Sequence, residues 1–500
     1  MNFDIEIHKK NESFLKIRCS RGVAQELSDY FSFYVPGYKF NPKYKAKVWD
    51  GIIRVFSAYT QELPCGLINR LIKFCKEREY SYKICYDNSS EELDTDSIKQ
   101  YIKDLNIHSK GEKITARDYQ VLGLFLALKQ KRNILLSATS SGKSLIAYLI
   151  SRYLIEHGCK KGLIIVPTVS LCSQLESDFQ DYSSNTDWDV YDNVHTIFSG
   201  QEKSSNKPII ISTWQSLHNI ENKSFFEEFD FVINDEVHLA QASSISDIIN
   251  NCTNSIYKIG MTGTLSGSKT HENVLTGLFG EPIRISSTKE LIDKKQATDL
   301  KIKCLLLKYD EDICNKFRKQ KLKYQEEIKY IISNKHRNIF IKNLAISMNK
   351  NTLLLFQLVE SHGKILYDLI KDSKLIGNRK VFFIHGKTEI EDRESIRSIV
   401  ESEENAIIIA SNGVFSTGVS IKNLHNVIFT HPSKSRIRTL QSIGRILRLN
   451  NDKDHATLYD IVDDLSTDSY QNFAVIHFLE RIKFYNQEKF NYKLYNIKLN

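Results

Sequence analysis

Between residues 109 and 465 the chain alternates short, continuously apolar runs with stretches of helical periodicity, and this alternation constrains the fold more than any other feature. In the first series the runs read NILLSA (133–138), GLIIVP (162–167), VHTIF (194–198), PIIIST (208–213), FDFVIND (229–235) and IYKIGMTG (256–263). After a Lys-rich stretch near 286–304 they resume as TLLLF (352–356), KVFFIHG (380–386), AIIIAS (406–411) and NVIFTHP (426–432). A strand that is apolar at consecutive positions has no wet face. It belongs in a parallel sheet covered on both sides, with the intervening helices as the cover. The pattern predicts an α/β protein with two tandem parallel-sheet domains, 109–285 and 286–465.

The flanks read differently. Residues 1–86 begin with alternating strands (FDIEI, SFLKIRC), then show helical stretches near 21–33 and 64–79, which predicts a small α/β domain. The polar, acidic stretch DNSSEELDTDS (87–97) opens a linker with a short helix, 87–108. Residues 466–500 carry Val475, Phe478, Leu479 and Ile482 at helical spacing and form a short helical C-terminal extension. No run of about 18 apolar residues occurs, so neither a membrane span nor a membrane partner is expected. The N-terminus lacks the apolar core of a signal peptide. Nine scattered cysteines without a C-x-x-C pair read as free thiols in a reducing compartment and argue against zinc. A net charge of +9 is compatible with nucleic acid without demanding it.

The first run leads into chemistry. LLSATSSGKSL (135–145) is a strand, a turn of small residues, and the start of a helix. It matches the phosphate-loop pattern except for the missing first glycine. In that reading Ser140, Ser141 and Gly142 turn backbone N–H groups inward, Lys143 reaches the β- and γ-phosphates, and Ser144 holds Mg²⁺. A bare strand–loop–helix connection would also carry G-K-S. The second informative run, FVINDEVHLA (231–240), ends an apolar strand in Asp235–Glu236. A carboxylate at a strand end can hold Mg²⁺, here Asp235, and its neighbour Glu236 can orient the attacking water. The pairing with a phosphate loop upstream separates this from an ordinary acidic turn.

Together these stretches resemble superfamily-two helicases and translocases, with a D-E-x-H box. The resemblance continues in order through RDYQ (117–120), VPTVSLCSQ (166–174), STWQSL (212–217), MTGTL (261–265), LLLFQLVESHGKIL (353–366), IHGKTEIEDRESI (384–396), ASNGVFSTGVSI (410–421) and QSIGRILR (441–448). It implies two RecA-like motor domains that meet around ATP. It further implies adenine reading by Gln120 with Arg117 nearby, and a nucleotide contact at Gly418. Thr168, Thr213, Gln215, Gly386 and Thr417 would contact nucleic acid. Gln441, Arg445 and Arg448 would act in catalysis. The two arginines are three apart and so neighbour one another on a helix face; their guanidinium forks suit phosphate oxygens. His238 either couples the nucleotide and nucleic-acid sites or simply packs. Ala138 stands where related loops carry proline, a change that keeps the N–H donors.

A narrower resemblance, spanning nearly the whole chain, is to the UvsW helicases of T-even-like bacteriophages. It rests on NPKYKAKVWDGIIRVF (41–56), FSTGVSIKNLH (415–425), LQSIGRILR (440–448) and the closing EKFNY. It implies ATP and Mg²⁺ as cofactors and the unwinding and branch migration of forked DNA, Holliday junctions, D-loops and R-loops. The implied partners are branched DNA, RNA–DNA hybrids, single-stranded DNA and other phage recombination or replication proteins. The implied setting is a monomer in the cytoplasm of the infected bacterial host.

The segment 38–54 also reads directly. Lys43, Lys45 and Lys47, with Lys39 and Arg54, interleave with Tyr38, Phe40, Tyr44 and Trp49 around one acid, Asp50. Cations on phosphates and aromatics on bases make a branched-DNA contact; the alternative is a solvated structural face. The tail cations Arg481, Lys483, Lys489, Lys493 and Lys498 leave the same two readings open. Other functions stand beside the leading one: an RNA helicase, a restriction-type duplex translocase, or a non-catalytic clamp switched by nucleotide. The chain lacks a P-D…[DE]-x-K nuclease cluster, which disfavours the second. Glu236 with the two arginines disfavours the third.

Overall fold

The computed structural model describes residues 3–87, 93–139, 141–198, 205–239, 242–265, 269–320, 322–417, 421, 423–433, 435, 439, 442–444, 446–447 and 453–499. The chain divides into two compact units, one holding the N-terminal domain and the first parallel sheet, the other holding the second.

The N-terminal domain is built from β1 (Ile5–Lys9), β2 (Phe14–Cys19), α1 (Arg21–Tyr30), β3 (Ser32–Tyr34), β4 (Ile52–Arg54), β5 (Glu62–Pro64), α2 (Ile68–Glu77) and β6 (Tyr82–Ile84). Its sheet runs in the order β5, β2, β1, β6. The alternation of the first strands places Ile5, Ile7, Leu15 and Ile17 in the core with Leu27, Leu71 and Phe74 from the helices. β3 and β4 form a separate antiparallel ribbon whose connection is the excursion 35–51.

This domain is fastened to the first parallel-sheet domain. The Lys258 amine is buried and donates to Ser13 Oγ (2.6 Å) and to the Ile249 carbonyl (2.9 Å). Burial pushes that amine down to about 7. Arg70 pairs with Glu281 at 2.7 Å, Arg132 with Glu12 at 3.3 Å, and the Glu12 N–H donates to the Thr253 carbonyl at 2.9 Å. At Gly66 a Cβ would sit 2.1 Å from the Thr276 carbonyl oxygen, so only glycine permits this backbone approach.

The first parallel sheet contains β7 (Arg132–Leu136), β8 (Gly162–Val166), β9 (Val194–Ile197), β10 (Ile209–Thr213), β11 (Phe231–Asp235), β12 (Tyr257–Thr262) and β13 (Pro282–Arg284). Their order across the sheet is β9, β10, β8, β11, β12, β7, β13, all parallel. Alternate residues serve opposite faces. Leu135, Ile164, Val166, Ile211 and Ile233 join one core, and Ile134, Leu163, Ile165, Ile210 and Val232 the other. Each such side chain contributes roughly 1.5–3 kcal/mol by leaving water. Helices α3 (Asp118–Gln130), α4 (Lys143–Glu156), α5 (Val169–Tyr182) and α6 (Lys269–Phe279) cover the sheet.

The second sheet repeats the plan. It comprises β14 (Asp299–Lys308), β15 (Thr352–Phe356), β16 (Val381–Ile384), β17 (Ile407–Ser411), β18 (Asn426–Phe429), β19 (His455–Asp464) and β20 (Tyr492–Lys498). The order is β16, β17, β15, β18, β19, β14, β20, again all parallel. Residues 466–500 contribute the helix α7 (Phe473–Gln487) and also the edge strand β20, which pairs with β14 from Ile302↔Tyr492 to Lys308↔Lys498. Arg481 is not a free tail cation. It is 2% exposed, and its Nε and Nη2 donate to both oxygens of Asp460 at 2.9 and 2.8 Å. Glu327 accepts from the Phe473 and Ala474 N–H groups (2.9 and 2.8 Å), capping α7 with a buried carboxylate.

Candidate nucleotide and nucleic-acid sites

The carboxyl ends of a parallel sheet share one edge, and strand-end residues of β7, β8, β10, β11 and β12 gather there. β7 runs into the loop before α4. Gly142 caps that helix in the left-handed region (φ 78°). A Cβ there would also lie 2.6 Å from the Gln120 Nε2. Gln120 is buried beside the loop, and its Oε1 accepts from the Arg117 N–H at 2.8 Å. Arg117 in turn donates to the Tyr119 hydroxyl (3.0 Å). The first N–H groups of α4 have no acceptor within the helix, so they favour an anion.

Across the edge, Lys143 Nζ lies 3.3 Å from Glu236 Oε1. Ser144 Oγ and the Tyr182 hydroxyl are 2.9 Å apart. Asp235 ends β11, and its Oδ1 accepts from the Glu236 N–H at 2.9 Å. Burial, then the Glu236 charge, push the Asp235 carboxyl well above the usual carboxylate range, with Lys143 opposing. Glu236 itself is left-handed (φ 47°), a conformation that costs a non-glycine residue roughly 1–2 kcal/mol. The next residues fix it: Thr262 Oγ1 is 3.5 Å from Glu236 Oε2 and 2.6 Å from His238 Nδ1. Burial holds the His238 imidazole below its usual range, hence neutral.

A helix N-terminus, an ammonium, a hydroxyl and two carboxylates thus meet on one sheet edge. They fit a nucleotide with a divalent cation. The N–H groups at the start of α4 and Lys143 suit phosphate oxygens, the Ser141 N–H being taken up by the Ala138 carbonyl (3.2 Å), and the hard oxygens of Ser144 and Asp235 suit Mg²⁺. Ser140 lies outside the described residues.

Thr168, Thr213 and Gln215 come together at the same edge. Gln215 Nε2 donates to the Pro167 carbonyl (3.4 Å), next to Thr168. Thr168 Oγ1 is shielded, without a hydrogen-bond partner among the described residues. Thr213 Oγ1 accepts from the Ser216 N–H at 3.3 Å and caps the following short helix.

In the second domain Gly386 sits in a turn closed by the His385 N–H on Thr388 Oγ1 (3.1 Å), and its carbonyl accepts from Arg393 at 3.0 Å. Thr417 ends the helix Asn412–Thr417. Gly418, Gln441, Arg445 and Arg448 lie outside the described residues. The segment leading toward them is held by two arginines that the motifs do not reveal. Arg337 Nη2 donates to the Thr430 carbonyl (2.7 Å) and its Nε to Asp463 (2.7 Å). Arg481 Nη1 donates to the Ser433 carbonyl at 2.6 Å.

In the N-terminal domain, Lys39, Tyr44, Lys45, Lys47, Val48, Trp49 and Asp50 line an open groove of about 820 Å³. The short helix Pro42–Lys45 carrying Lys43 is capped by Asn41, whose Oδ1 accepts from the Lys43 N–H (2.9 Å). Tyr38 and Tyr44 pack edge-to-face at 4.8 Å, and Trp49 Nε1 donates to the Ile52 carbonyl at 3.0 Å. The Tyr44 and Trp49 rings wall the groove, while Phe40 stands 81% exposed.

Comparison with known proteins decides the family. Three family models match in order: the N-terminal domain of the DNA helicase UvsW at residues 4–87, the res subunit of type III restriction enzymes at 91–267, and the conserved helicase C-terminal domain at 335–450. The ATP-dependent DNA helicase UvsW of Enterobacteria phage T4 is 36% identical, over 99% of this chain and 100% of its own. The chain belongs to the UvsW family of ATP-dependent DNA helicases. The crystal structure of T4 UvsW superposes with a TM-score of 0.53 at 35% identity, covering 99% of this chain and 100% of that one. A fragment of a putative HsdR subunit of a type I restriction enzyme from Vibrio vulnificus shares the fold, with a TM-score of 0.57 at 17% identity over 93% of this chain and 84% of its own. The UvsW match reaches through the N-terminal domain as well as both RecA-like domains.

Proposed function

We propose that the protein couples hydrolysis of Mg²⁺-bound ATP to the unwinding and branch migration of forked DNA, Holliday junctions, D-loops and R-loops, in phage recombination, repair and replication control. The observation that carries this is the combination of a helicase motor edge with a basic, aromatic-walled groove on a domain fastened to the motor. A motor tracks a strand; a branch point needs a second contact.

ATP supplies the phosphoanhydride whose cleavage drives the cycle. Lys143, now paired with Glu236, exchanges that carboxylate for phosphate oxygens. Glu236 is thereby released to orient a water, with Thr262 and His238 steadying it. Asp235 and Ser144 hold the cation, Ser140, Ser141, Gly142 and Gly418 contact the nucleotide, and Gln120 with Arg117 takes the base. Arg445 and Arg448, with Gln441, stabilise charge on the transferring phosphoryl group. Thr168, Thr213, Gln215, Gly386 and Thr417 grip the strand, and Lys43, Lys45, Lys47 and Trp49 grip the branch. The protein acts as a monomer in the cytoplasm of the infected host, beside other phage recombination and replication proteins. No described helix is long and apolar enough to cross a membrane.

The test is unwinding measured side by side on a Holliday junction, a fork, an R-loop and a plain tailed duplex, with ATP and Mg²⁺. Faster turnover of the branched substrates is expected. Equal rates on all four would overturn the branch assignment, and activity confined to RNA duplexes would favour an RNA helicase.

A further inference from the structure

One helix touches both the hydrolytic edge and the root of the basic groove. α6 begins seven residues after Thr262, the end of β12. In its first turn the His271 side chain lies beside the backbone of His238, within the D-E-x-H box, with its Nε2 buried and without a hydrogen-bond partner among the described residues. His238 Nδ1 lies 2.6 Å from Thr262 Oγ1, which neighbours Glu236. The adjacent residue, Thr270, is buried and donates from Oγ1 to the Tyr34 carbonyl at 2.9 Å. Tyr34 ends β3, where the excursion 35–51 departs. Its ring packs on Tyr38 (4.9 Å), Tyr38 packs on Tyr44 (4.8 Å), and Tyr44 lines the groove. A Cβ on Gly51 would lie 2.3 Å from the Tyr38 ring, so that ring packs directly on the Gly51 backbone. Farther along α6, Arg70 of the N-terminal domain donates to Asn273 and to Thr276 (3.3 Å).

We infer that α6 is the lever that carries the state of the ATP site to the groove, and that Thr270 and His271 are its positioning residues. Adjacent residues on a helix cannot move independently, and packed interiors pass on a displacement rather than absorb it. A shift of the D-E-x-H turn therefore moves His271, and with it Thr270, Tyr34 and the wall of the groove. By linkage the coupling runs both ways: a fork seated in the groove alters nucleotide affinity by the factor with which nucleotide alters fork affinity. The inference rests on reading Glu236 as the hydrolytic carboxylate and 38–54 as a DNA contact.

The experiment measures fork dissociation constants of the full chain with and without a non-hydrolysable ATP analogue. The variants are Thr270→Val, Thr270→Ser, His271→Ala and the triple Lys43→Ala/Lys45→Ala/Lys47→Ala. The wild-type ratio of the two constants should depart from one by about fivefold or more, the lower end of typical couplings. Thr270→Val and His271→Ala should bring it within about twofold of one, while Thr270→Ser, which keeps the hydroxyl, restores it. DNA-independent ATP turnover of Thr270→Val should stay within about twofold of wild type. A wild-type ratio of one, or Thr270→Val and His271→Ala with the full wild-type ratio, would overturn the lever. Unchanged fork binding by the triple variant would remove the groove reading, and the lever with it. Weakened binding by the triple variant alongside an unaltered ratio in Thr270→Val sinks the lever alone.

Discussion

At the scale of single residues, Lys143 and Glu236 bear opposite charges 3.3 Å apart on the edge of the first parallel sheet. Lys143→Ala should leave the fold intact and abolish ATP turnover, because the point charge on the β/γ-phosphates is gone. Near-normal kcat in the folded variant would be incompatible with a phosphate cradle. Glu236→Gln keeps shape but cannot orient water as a carboxylate does. It should bind ATP yet hydrolyse it at least ~10²-fold more slowly, as is typical when a positioned base is lost; single-turnover hydrolysis beside equilibrium nucleotide binding separates the two effects. Arg445→Ala and Arg448→Ala should each reduce kcat by ~10³-fold or more with little change in nucleotide affinity. A defect confined to DNA binding would move those arginines to the strand. Much of this site was legible in the sequence, since G-K-S after a strand and D-E at a strand end name their own chemistry. The left-handed backbone of Glu236 was not, because nothing in the residue type announces it. Thr270 and His271 were equally silent, belonging to no motif.

At the scale of elements, the two parallel sheets were legible because strands covered on both faces are written as unbroken apolar runs. The strand β20 was hidden: YKLYNIK lies at a sheet edge, mostly exposed, and Ile497 alone does not spell a core face. Arg481 read as a tail cation for a related reason. A buried arginine differs from a solvated one only through its partner, here Asp460, 21 residues away. Docking of the N-terminal domain was likewise illegible, since it hangs on scattered residues such as Ser13, Gly66 and Arg70. Lys258, at the centre of that interface, gives a pH signature. Its folded amine is held near 7 by burial, against about 10.4 in an unfolded chain. Below pH 7 it is charged in both states and the full cost of burying the charge is felt. Between about 7 and 10.4 the unfolded chain holds the extra proton, so stability rises with pH. Lys258→Met should remove that rise. The change in unfolding free energy between pH 6.5 and 9.5, from urea titrations, should differ between wild type and variant by on the order of 3 kcal/mol. Parallel pH profiles would mean the amine is neutralised or hydrated in some other way.

At the scale of the whole molecule, the proposed reading puts hydrolysis and branch recognition on different parts of the chain. The phosphate loop and D-E-x-H box lie at the edge of the first parallel sheet, and the groove lies on a domain clamped to that sheet's flank. In the proposed reading, a fixed attachment would make the groove a second, constant point of contact for DNA and not a tethered, searching one. Replacing Lys43, Lys45 and Lys47 with Ala therefore probes that contact, through the salt dependence of fork binding set beside ATP turnover on single strands. Each lysine that neutralises a phosphate adds about 0.9 to the slope of log affinity against log salt on duplex DNA. Without the three ammonium groups that slope should flatten by as much as ~2.7, and the preference for forks over single strands should fall. Turnover on single strands should remain close to wild type. An unchanged slope with an unchanged fork preference would contradict the account and leave the groove a solvated face.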